Sequence, residues 1–255
     1  MTSSLETRDL TIRFGGHVAV NAVSCAFRPG ELTAIVGPNG AGKTTYFNLI
    51  SGQLRPSGGS VLFDGADITG LSAPLRTRAG LGRAFQLTNL FPNLSVEENV
   101  RLAVQSASGV HYDMVRPWMT RKDLIARADG ILDTVALGGR RNAAATALSH
   151  GDQRKLEVAL MMALEPKVFM FDEPTAGMSI DEVAVVLNLI AQLKQDTGKI
   201  ILLVEHKMDV VRSLADRIIV LHNGQLVADG KPAEVIASPI VQEAYLGIAP
   251  GRGQG

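Results

Sequence analysis

The sequence has only one cysteine, Cys25, in 255 residues. An internal disulfide bond is therefore excluded, and no spacing of cysteines and histidines typical of a zinc site is present. A lone cysteine is most often a small buried residue in a reducing compartment, and we interpret Cys25 in this way.

An excess of charge of one sign is also absent. The chain has 25 Lys and Arg residues against 25 Asp and Glu residues, so its formal net charge is zero. Proteins that bind mainly a nucleic-acid backbone carry a basic excess, because their affinity comes from neutralising phosphates. We therefore expect no nucleic-acid partner.

Long apolar runs are missing as well. No uncharged stretch of the sequence approaches the ~20 residues that a helix needs to cross a bilayer. The N-terminus, "MTSSLETRDLTIRF", has acidic residues where a secretion signal would be apolar. We expect a chain without a signal peptide or a membrane span, so any work at a membrane requires other subunits.

The most specific motif is a phosphate-binding loop. "GPNGAGKTT" matches G-x-x-x-x-G-K-[ST] and lies between an apolar strand, "LTAIV", and a helical segment, "TTYFNLI". Glycines let backbone N–H groups surround a phosphate, and the helix N-terminus adds a favourable dipole. Lys43 would contact the β- and γ-phosphates and the Thr44 hydroxyl would bind Mg²⁺. The predicted nucleotide-binding residues are Gly37, Pro38, Asn39, Gly40, Ala41, Gly42, Lys43, Thr44 and Thr45.

Two carboxylates follow a second apolar strand, "VFMFDEP". A carboxylate at the end of such a strand would lie beside the phosphate loop, where Asp172 would hold Mg²⁺ through water. Glu173 would be the general base that orients the attacking water.

Apolar strands alternate with amphipathic helices along the chain. Continuous apolar runs at 31–37, 167–173 and 199–206 predict parallel strands covered on both faces. The segments 5–14, 21–30 and 59–68 predict antiparallel strands, and helical spacing dominates from about 87 to 165. Ser179 and Glu182 predict a capping box at the start of a helix that continues to about Lys194.

We therefore predict an α/β fold, with a P-loop NTPase core around a parallel sheet, an N-terminal antiparallel β subdomain and an inserted helical subdomain. The core with its β subdomain would contain residues 1–86 and 166–247, the helical subdomain residues 87–165, and a flexible tail residues 248–255.

"LSHGDQRKLEVALMMALEP" places Ser149, His150 and Asp152 close together. A Ser/His/Asp triad needs its three groups in a line of hydrogen bonds, usually supplied by distant segments, so we reject a catalytic triad here. Ser149 and the N–H of Gly151 instead begin the helix that follows, which is a favourable place for a phosphate.

Five features follow one another along the chain: a phosphate loop, a glutamine, an LSxG segment, a "DEP" strand and a histidine after the next strand. Together they resemble the ATP-binding-cassette family of ATPases over essentially the whole chain. The resemblance implies ATP and Mg²⁺ as cofactors, and two cassettes that enclose two ATP molecules head to tail. "LSHGD" would be the family's signature segment, whose Ser149, His150, Gly151 and Asp152 contact the ATP of the opposite subunit.

The resemblance also assigns single residues. Phe14 matches the aromatic residue that stacks on adenine, Gln86 the glutamine that senses Mg²⁺ and the attacking water, and His206 the histidine that contacts the γ-phosphate. The implied catalytic residues are Glu173, His206 and Gln86, and the implied metal ligands are Thr44, Gln86 and Asp172.

Three positions depart from the family pattern. The family usually has glycine at position 150, glutamine at 152 and aspartate at 179. We disfavour His150 as a catalytic base because Glu173 already supplies one. We expect Asp152 to point away from the phosphates, whereas Ser179 puts the usual contact between the two sites in question.

Several segments resemble a narrower group, the ATP-binding subunits of branched-chain amino acid importers. These are "GLGRAFQLTNLFPNLSVEENV", "LSHGDQRKLE" and the ending "PAEVIASPIVQEAYLG". Importers of urea or short amides share "LSHG", and a lipopolysaccharide-export ATPase shares "YLG", so these remain alternatives.

The importer resemblance implies a peripheral ATPase at the cytoplasmic face of the membrane. Its implied partners are two permease subunits, a second cassette that is either the same or a related chain, and indirectly an extracytoplasmic solute-binding protein. Leu90 and Phe91, in a loop before Pro92, are the candidates for permease docking.

Two other classes fit the sequence less well. Soluble cassette ATPases of DNA repair or translation usually have two cassettes or a long coiled-coil insertion, and neither is present. A P-loop GTPase would need a guanine-reading N/T-K-x-D motif, which the sequence lacks.

Overall fold

The computed structural model describes residues 4–84, 90–108 and 121–246. The chain divides into two compact units. The first contains Met1–Leu81, Lys167–Glu173 and Lys194–Gly255, and the second contains Gly82–Pro166 and Pro174–Leu193. The division predicted from the sequence, into a nucleotide-binding core, a helical subdomain and a flexible tail, stays a prediction. The predicted tail, 248–255, lies outside the described residues.

The described strands are β1 (Leu5–Phe14), β2 (His17–Phe27), β3 (Leu32–Val36), β4 (Gly58–Phe63), β5 (Ala66–Asp67), β6 (Leu81–Ala84), β7 (Val168–Asp172), β8 (Ile200–Val204), β9 (Arg217–His222) and β10 (Gln225–Gly230). The described helices are α1 (Lys43–Ser51), α2 (Ala73–Ala79), α3 (Val96–Ala107), α4 (Lys122–Thr134), α5 (His150–Leu164), α6 (Ile180–Leu193), α7 (Met208–Leu214), α8 (Pro232–Ala237) and α9 (Pro239–Leu246).

An antiparallel sheet forms the first part of the chain, with the strand order β2-β1-β4-β5. Its long strands β1 and β2 pair from Leu5 and Phe27 to Phe14 and His17. Buried and exposed residues alternate along much of β2, as expected for a sheet with one face in the core. The predicted antiparallel β subdomain is confirmed.

A second sheet has the strand order β10-β9-β3-β8-β7-β6. Its first five strands belong to the first unit, and β6 starts at Leu81, the last residue of that unit's first segment. Strand β3 pairs in parallel with β8 and β9, and β8 pairs in parallel with β7. Every residue of β3, β7 and β8 is buried, which explains their continuous apolar sequences. Because these strands are parallel, their carboxyl ends meet at one edge, where α/β proteins bind ligands.

The second unit is mainly helical, and polar side chains fix where its helices begin. Ser95 accepts a hydrogen bond from the backbone N–H of Glu98 at the start of α3. At the start of α6 the carboxylate of Glu182 accepts from both the backbone N–H and the hydroxyl of Ser179, each at 3.0 Å. These bonds confirm the predicted capping box. Within the described ranges we find no helix that is both long and apolar enough to cross a membrane.

Candidate active site

The loop between β3 and α1 is held by the lysine at its end. Lys43 Nζ donates hydrogen bonds to the backbone carbonyls of Gly37, at 2.7 Å, and Pro38, at 2.9 Å. An ammonium group has three N–H donors, so the same side chain can also contact a phosphate. Burial lowers the pKa of Lys43, and the negative charges of Glu173 and Asp172 oppose this change. The lysine and both carboxylates therefore lie within electrostatic reach of one another.

Glu173 and His206 form a direct contact at the same edge of the sheet. The Oε1 atom of Glu173 lies 2.7 Å from Nε2 of His206. The backbone N–H of Glu173 donates to the carbonyl of Val204, and its φ of 50° lies in the left-handed region, which costs about 1–3 kcal/mol. Glu205 Oε2 accepts from the backbone N–H of His206 at 2.7 Å. The position of both functional side chains is thus fixed by the ends of β7 and β8.

A cavity of about 400 Å³ lies over the loop. Its lining contains Phe14, His17, Ala19, Asn39, Gly40, Ala41, Gly42, Lys43, Thr44, Thr45, Glu173 and His206. Phe14, at the end of β1, is 50% exposed, so it is not a core residue and its ring is accessible to a ligand. Asp172 is buried at the end of β7. The structure thus brings most of the predicted nucleotide-binding residues to one cavity.

His17 and Ala19 are lining residues that the sequence analysis missed. His17 pairs with Phe14 across the β1–β2 hairpin. The two glycines between them, at positions 15 and 16, are a two-residue turn signal and place these two residues opposite each other. That register was the signal that could have identified His17.

The signature segment begins α5, as predicted. Ser149 accepts a hydrogen bond from the backbone N–H of Asp152 at 3.1 Å, and His150 beside it is exposed. The carboxylate of Asp152 contacts Lys155 of the same helix at 2.8 Å. Gly151 is buried against the carboxyl group of Glu182, so a side chain at this position would displace that group. The roles of these residues toward a nucleotide stay predictions.

Two further predictions concern the segment after β6. Gln86 lies outside the described residues, so its predicted contact with Mg²⁺ and water stays untested. Leu90 is half-buried and Phe91 is 55% exposed, which agrees with a loop that presents apolar side chains.

Replacing Gly42 by alanine is expected to destabilise the chain by about 2–4 kcal/mol and to weaken ATP binding. Gly42 has a φ of 95°, which disfavours any residue with a side chain, and a Cβ atom there would meet the carbonyl oxygen of Ala19. Urea unfolding and the binding of a fluorescent ATP analogue measure the two effects. Gly40→Ala is the matched control, since Gly40 also has a positive φ but nothing lies within 4 Å of its Cβ position. Equal losses of stability in both variants would show that the contact with Ala19 is unimportant.

The arrangement defines a class of protein. The phosphate loop lies at the carboxyl edge of a parallel sheet and faces a glutamate and a histidine across one cavity. This arrangement is typical of P-loop nucleotide-binding ATPases. The family model described as "ABC transporter" matches residues 20–176, and the model described as "Branched-chain amino acid ATP-binding cassette transporter" matches residues 225–249. The chain belongs to the ABC transporter family as an ATP-binding cassette, and it binds nucleotide.

Curated relatives extend over nearly the whole chain. The high-affinity branched-chain amino acid transport ATP-binding protein LivG of Escherichia coli K12 is 37% identical over 250 residues, which cover 96% of this chain and 98% of LivG. BraF of Pseudomonas aeruginosa, which has the same description, is also 37% identical over 250 residues, with the same coverage of 96% and 98%.

Solved structures show the same fold. The ADP conformation of MJ1267, an ATP-binding cassette of an ABC transporter, aligns with a TM-score of 0.81 at 28% identity and covers 97% of this chain and 100% of its own. A dimeric post-hydrolysis state of the cassette MJ0796 with ADP and phosphate aligns with a TM-score of 0.75 at 26% identity, over 89% of this chain and 98% of its own. The predicted fold class and family are confirmed.

Proposed function

We propose that this chain hydrolyses ATP to energise an importer of branched-chain or related amino acids, whose solute crosses through separate permease subunits. The observation that carries the substrate class is the C-terminal match, at residues 225–249, to the branched-chain amino acid cassette model. The relatives LivG and BraF, aligned over almost their full length, support the same assignment.

The cavity geometry supports a mechanism for the hydrolysis step. The phosphate loop and Lys43 would hold the β- and γ-phosphates, Phe14 would stack on the adenine, and Glu173 would orient and deprotonate the attacking water. His206 lies 2.7 Å from Glu173, so it would position that carboxylate. The family resemblance implies that it would also contact the γ-phosphate. In this mechanism the polar edge of the cavity would supply the donors and the base that phosphoryl transfer needs.

A magnesium ion fits the residues at this edge. Thr44 lines the cavity, and Asp172 is buried at the carboxyl end of β7, directly before the cavity-lining Glu173, so both side chains offer oxygen ligands at this edge. Thr44 and Asp172 would hold the ion, with Gln86 as the third predicted ligand. When bound, Mg²⁺ would neutralise charge that develops on the phosphate oxygens.

The signature segment supports a two-cassette arrangement. Ser149 and the N–H groups that begin α5 would form an anion-binding helix terminus, and in the proposed assembly they would contact the ATP of a second cassette. That cassette is either a copy of this chain or a related one. The dimeric structure of MJ0796 is a precedent for paired cassettes.

Co-purification from native cells tests the proposed function. The full-length tagged chain, purified gently from solubilised membranes, is expected to retain two multispanning permeases and a second cassette, identified by mass spectrometry. The associated solute-binding protein is then assayed for leucine against urea. Recovery only with ribosomal or DNA-repair partners would contradict the transport role and leave the ATPase assignment standing.

A further inference from the structure

A two-residue turn joins β9 to β10 beside the phosphate loop. Asn223 and Gly224 form this β9–β10 turn, with φ values of 48° and 76°. Tight hairpin turns require positive φ at both positions, and Asn-Gly is a preferred pair for them. Asn223 is exposed and Gly224 is buried. Only the glycine of the turn therefore faces the interior of the first unit.

The end of the β9–β10 hairpin contacts the phosphate loop at three points. The backbone N–H of Gly224 donates a hydrogen bond to the carbonyl of Ala41 at 3.0 Å. A Cβ atom at Gly42 would lie 3.4 Å from Cα of Gly224. At the other end of the loop, a Cβ atom at Gly37 would meet the carbonyl oxygen of Leu221, in β9. Both ends of the phosphate loop thus pack against one hairpin.

Strand β2 holds the turn from its other side. The carbonyl of Gly224 accepts a hydrogen bond from the backbone N–H of Asn21 at 2.8 Å. A Cβ atom at Gly224 would lie 2.7 Å from the carbonyl oxygen of Ala19 and 3.3 Å from Cα of Val20, so a side chain does not fit there. Ala19 also lines the nucleotide cavity. Gly224 therefore fills the space between β2 and the phosphate loop and bonds to both.

The hydrogen bond to Ala41 also fixes the direction of the next backbone N–H. The Ala41 carbonyl and the Gly42 N–H belong to one trans peptide group, which is planar, so the two point in opposite directions. Because the carbonyl points to Gly224, the Gly42 N–H points away from the β9–β10 turn. Gly42 lines the cavity, and inward-pointing N–H groups of such loops bind phosphate. A reversed peptide group would instead present a carbonyl oxygen to the phosphates and repel them.

We propose that Gly224 is a positioning residue for nucleotide binding, which directs the Gly42 N–H toward the phosphates of ATP or ADP through its hydrogen bond to Ala41. Gly224 acts through the loop and does not touch the nucleotide. This role rests on the predicted binding of phosphates by the loop. It does not depend on the permease partners or on the transported solute.

Gly224→Ala in the full-length chain tests this role. The new Cβ atom would collide with the Ala19 carbonyl and move the turn away from the loop. The Kd for ADP, measured by titration calorimetry, is expected to rise about tenfold, which corresponds to the loss of one hydrogen bond. The KM for ATP should rise with it, while kcat should change less than about twofold, because Lys43 and Glu173 remain and mainly ground-state binding is lost.

Gly65→Ala is the matched control. Asp64 and Gly65 form the same kind of two-residue turn between β4 and β5, with φ values of 50° and 79°. No described atom lies within 4 Å of the Cβ position at Gly65. Alanine thus strains the backbone in both variants, but only Gly224→Ala moves the loop, and the control should keep the Kd of the unchanged chain. Equal Kd values in the two variants, or a lower kcat with an unchanged Kd in Gly224→Ala, would overturn the role of Gly224.

Hydrogen exchange gives a second test that needs no variant. Binding of ADP to the loop should also stabilise the hydrogen bond that the Gly224 N–H donates to it, because the two events are linked. By NMR of the isotope-labelled full-length chain, ADP is expected to slow exchange at Gly224 about tenfold more than at Ile68. The Ile68 N–H is the control, since it donates to the carbonyl of Val61 at 2.9 Å beside the other turn.

Equal slowing at the two amides would overturn the role of Gly224 even if Gly224→Ala does not fold. If the unchanged chain binds no ADP, the predicted phosphate loop fails and the role of Gly224 fails with it. Co-purification of permeases, which tests the proposed transport function, is a separate result.

Discussion

Replacing Glu173 by glutamine is expected to lower the kcat of ATP hydrolysis by about 100-fold or more, the usual loss when a general base is removed. ATP binding should change little, because the phosphate loop and Lys43 remain. Glutamine has nearly the same size as glutamate, so it keeps the contact with His206 through an amide instead of a carboxylate. The variant would therefore bind ATP and hold it.

The measurement is steady-state phosphate release, together with gel filtration in saturating Mg-ATP. A cassette that binds ATP but does not hydrolyse it should accumulate as a dimer, whereas the unchanged chain should return to monomers after turnover. Glu234→Gln is the control, because Glu234 is an exposed glutamate of α8 in the same unit. An unchanged kcat in Glu173→Gln would remove Glu173 as the base, and a monomeric variant in Mg-ATP would count against the two-cassette mechanism.

Replacing Arg76 by leucine is expected to lower the free energy of unfolding by about 3–5 kcal/mol, because several carbonyls lose their donor and each buried acceptor left unsatisfied costs about 1–3 kcal/mol. Arg76 is 1% exposed. Its guanidinium group donates to the backbone carbonyls of Leu49, Ile50, Thr69 and Leu71, at distances of 2.7–3.2 Å. It thereby joins the end of α1 to the segment before α2, and leucine would leave four carbonyls without this donor.

Burial lowers the pKa of Arg76 to about 10, with the charge of Asp67 opposing the change. The group therefore stays charged at neutral pH, and its hydrogen bonds to carbonyls are of the strong, charge-assisted kind. Gly52 makes room for it, because a Cβ atom there would lie 2.8 Å from Nε of Arg76.

Urea unfolding measures the loss of stability in Arg76→Leu. Arg78→Leu is the control on the same helix, and since Arg78 is exposed its effect should stay within about 0.5 kcal/mol. Arg76→Lys should fall between the two, because an ammonium group keeps the charge but lacks the planar fork that reaches several acceptors. If Arg76→Leu and Arg78→Leu unfold at the same urea concentration, the carbonyl network contributes nothing to stability.

The fold and much of the candidate site could be predicted because their signals are local. Buried parallel strands read as continuous apolar runs, a phosphate loop needs glycines and a lysine at fixed spacing, and a helix start needs an oxygen three residues before its partner, as at Ser179 and Glu182. Asp172 and Glu173 follow the same logic, since a strand's end is visible in the sequence and parallel strands end at one edge.

Other features depend on which distant residues meet, and no local pattern gives that information. Arg76 reads as one more polar residue of a short helix, and only the packing shows that four carbonyls surround it. Glu157 reads as a member of a helical charge pattern, but its burial depends on how α3 and α5 pack. The contact between Glu173 and His206 needs the order of β7 and β8 within the sheet.

The sequence by itself determined the class of chemistry, because phosphate binding requires a few residue types at fixed short spacing. It also determined the element types, because burial imposes periods of two or about 3.6 residues on strands and helices. Only the tertiary structure decided which polar groups are buried and which of them lack a partner. Burial and hydrogen bonding depend on neighbours from other parts of the chain. Those neighbours decide whether a buried charge has its donors and acceptors paired, as at Arg76, or keeps an oxygen without a hydrogen-bond partner among the described residues, as at Glu157.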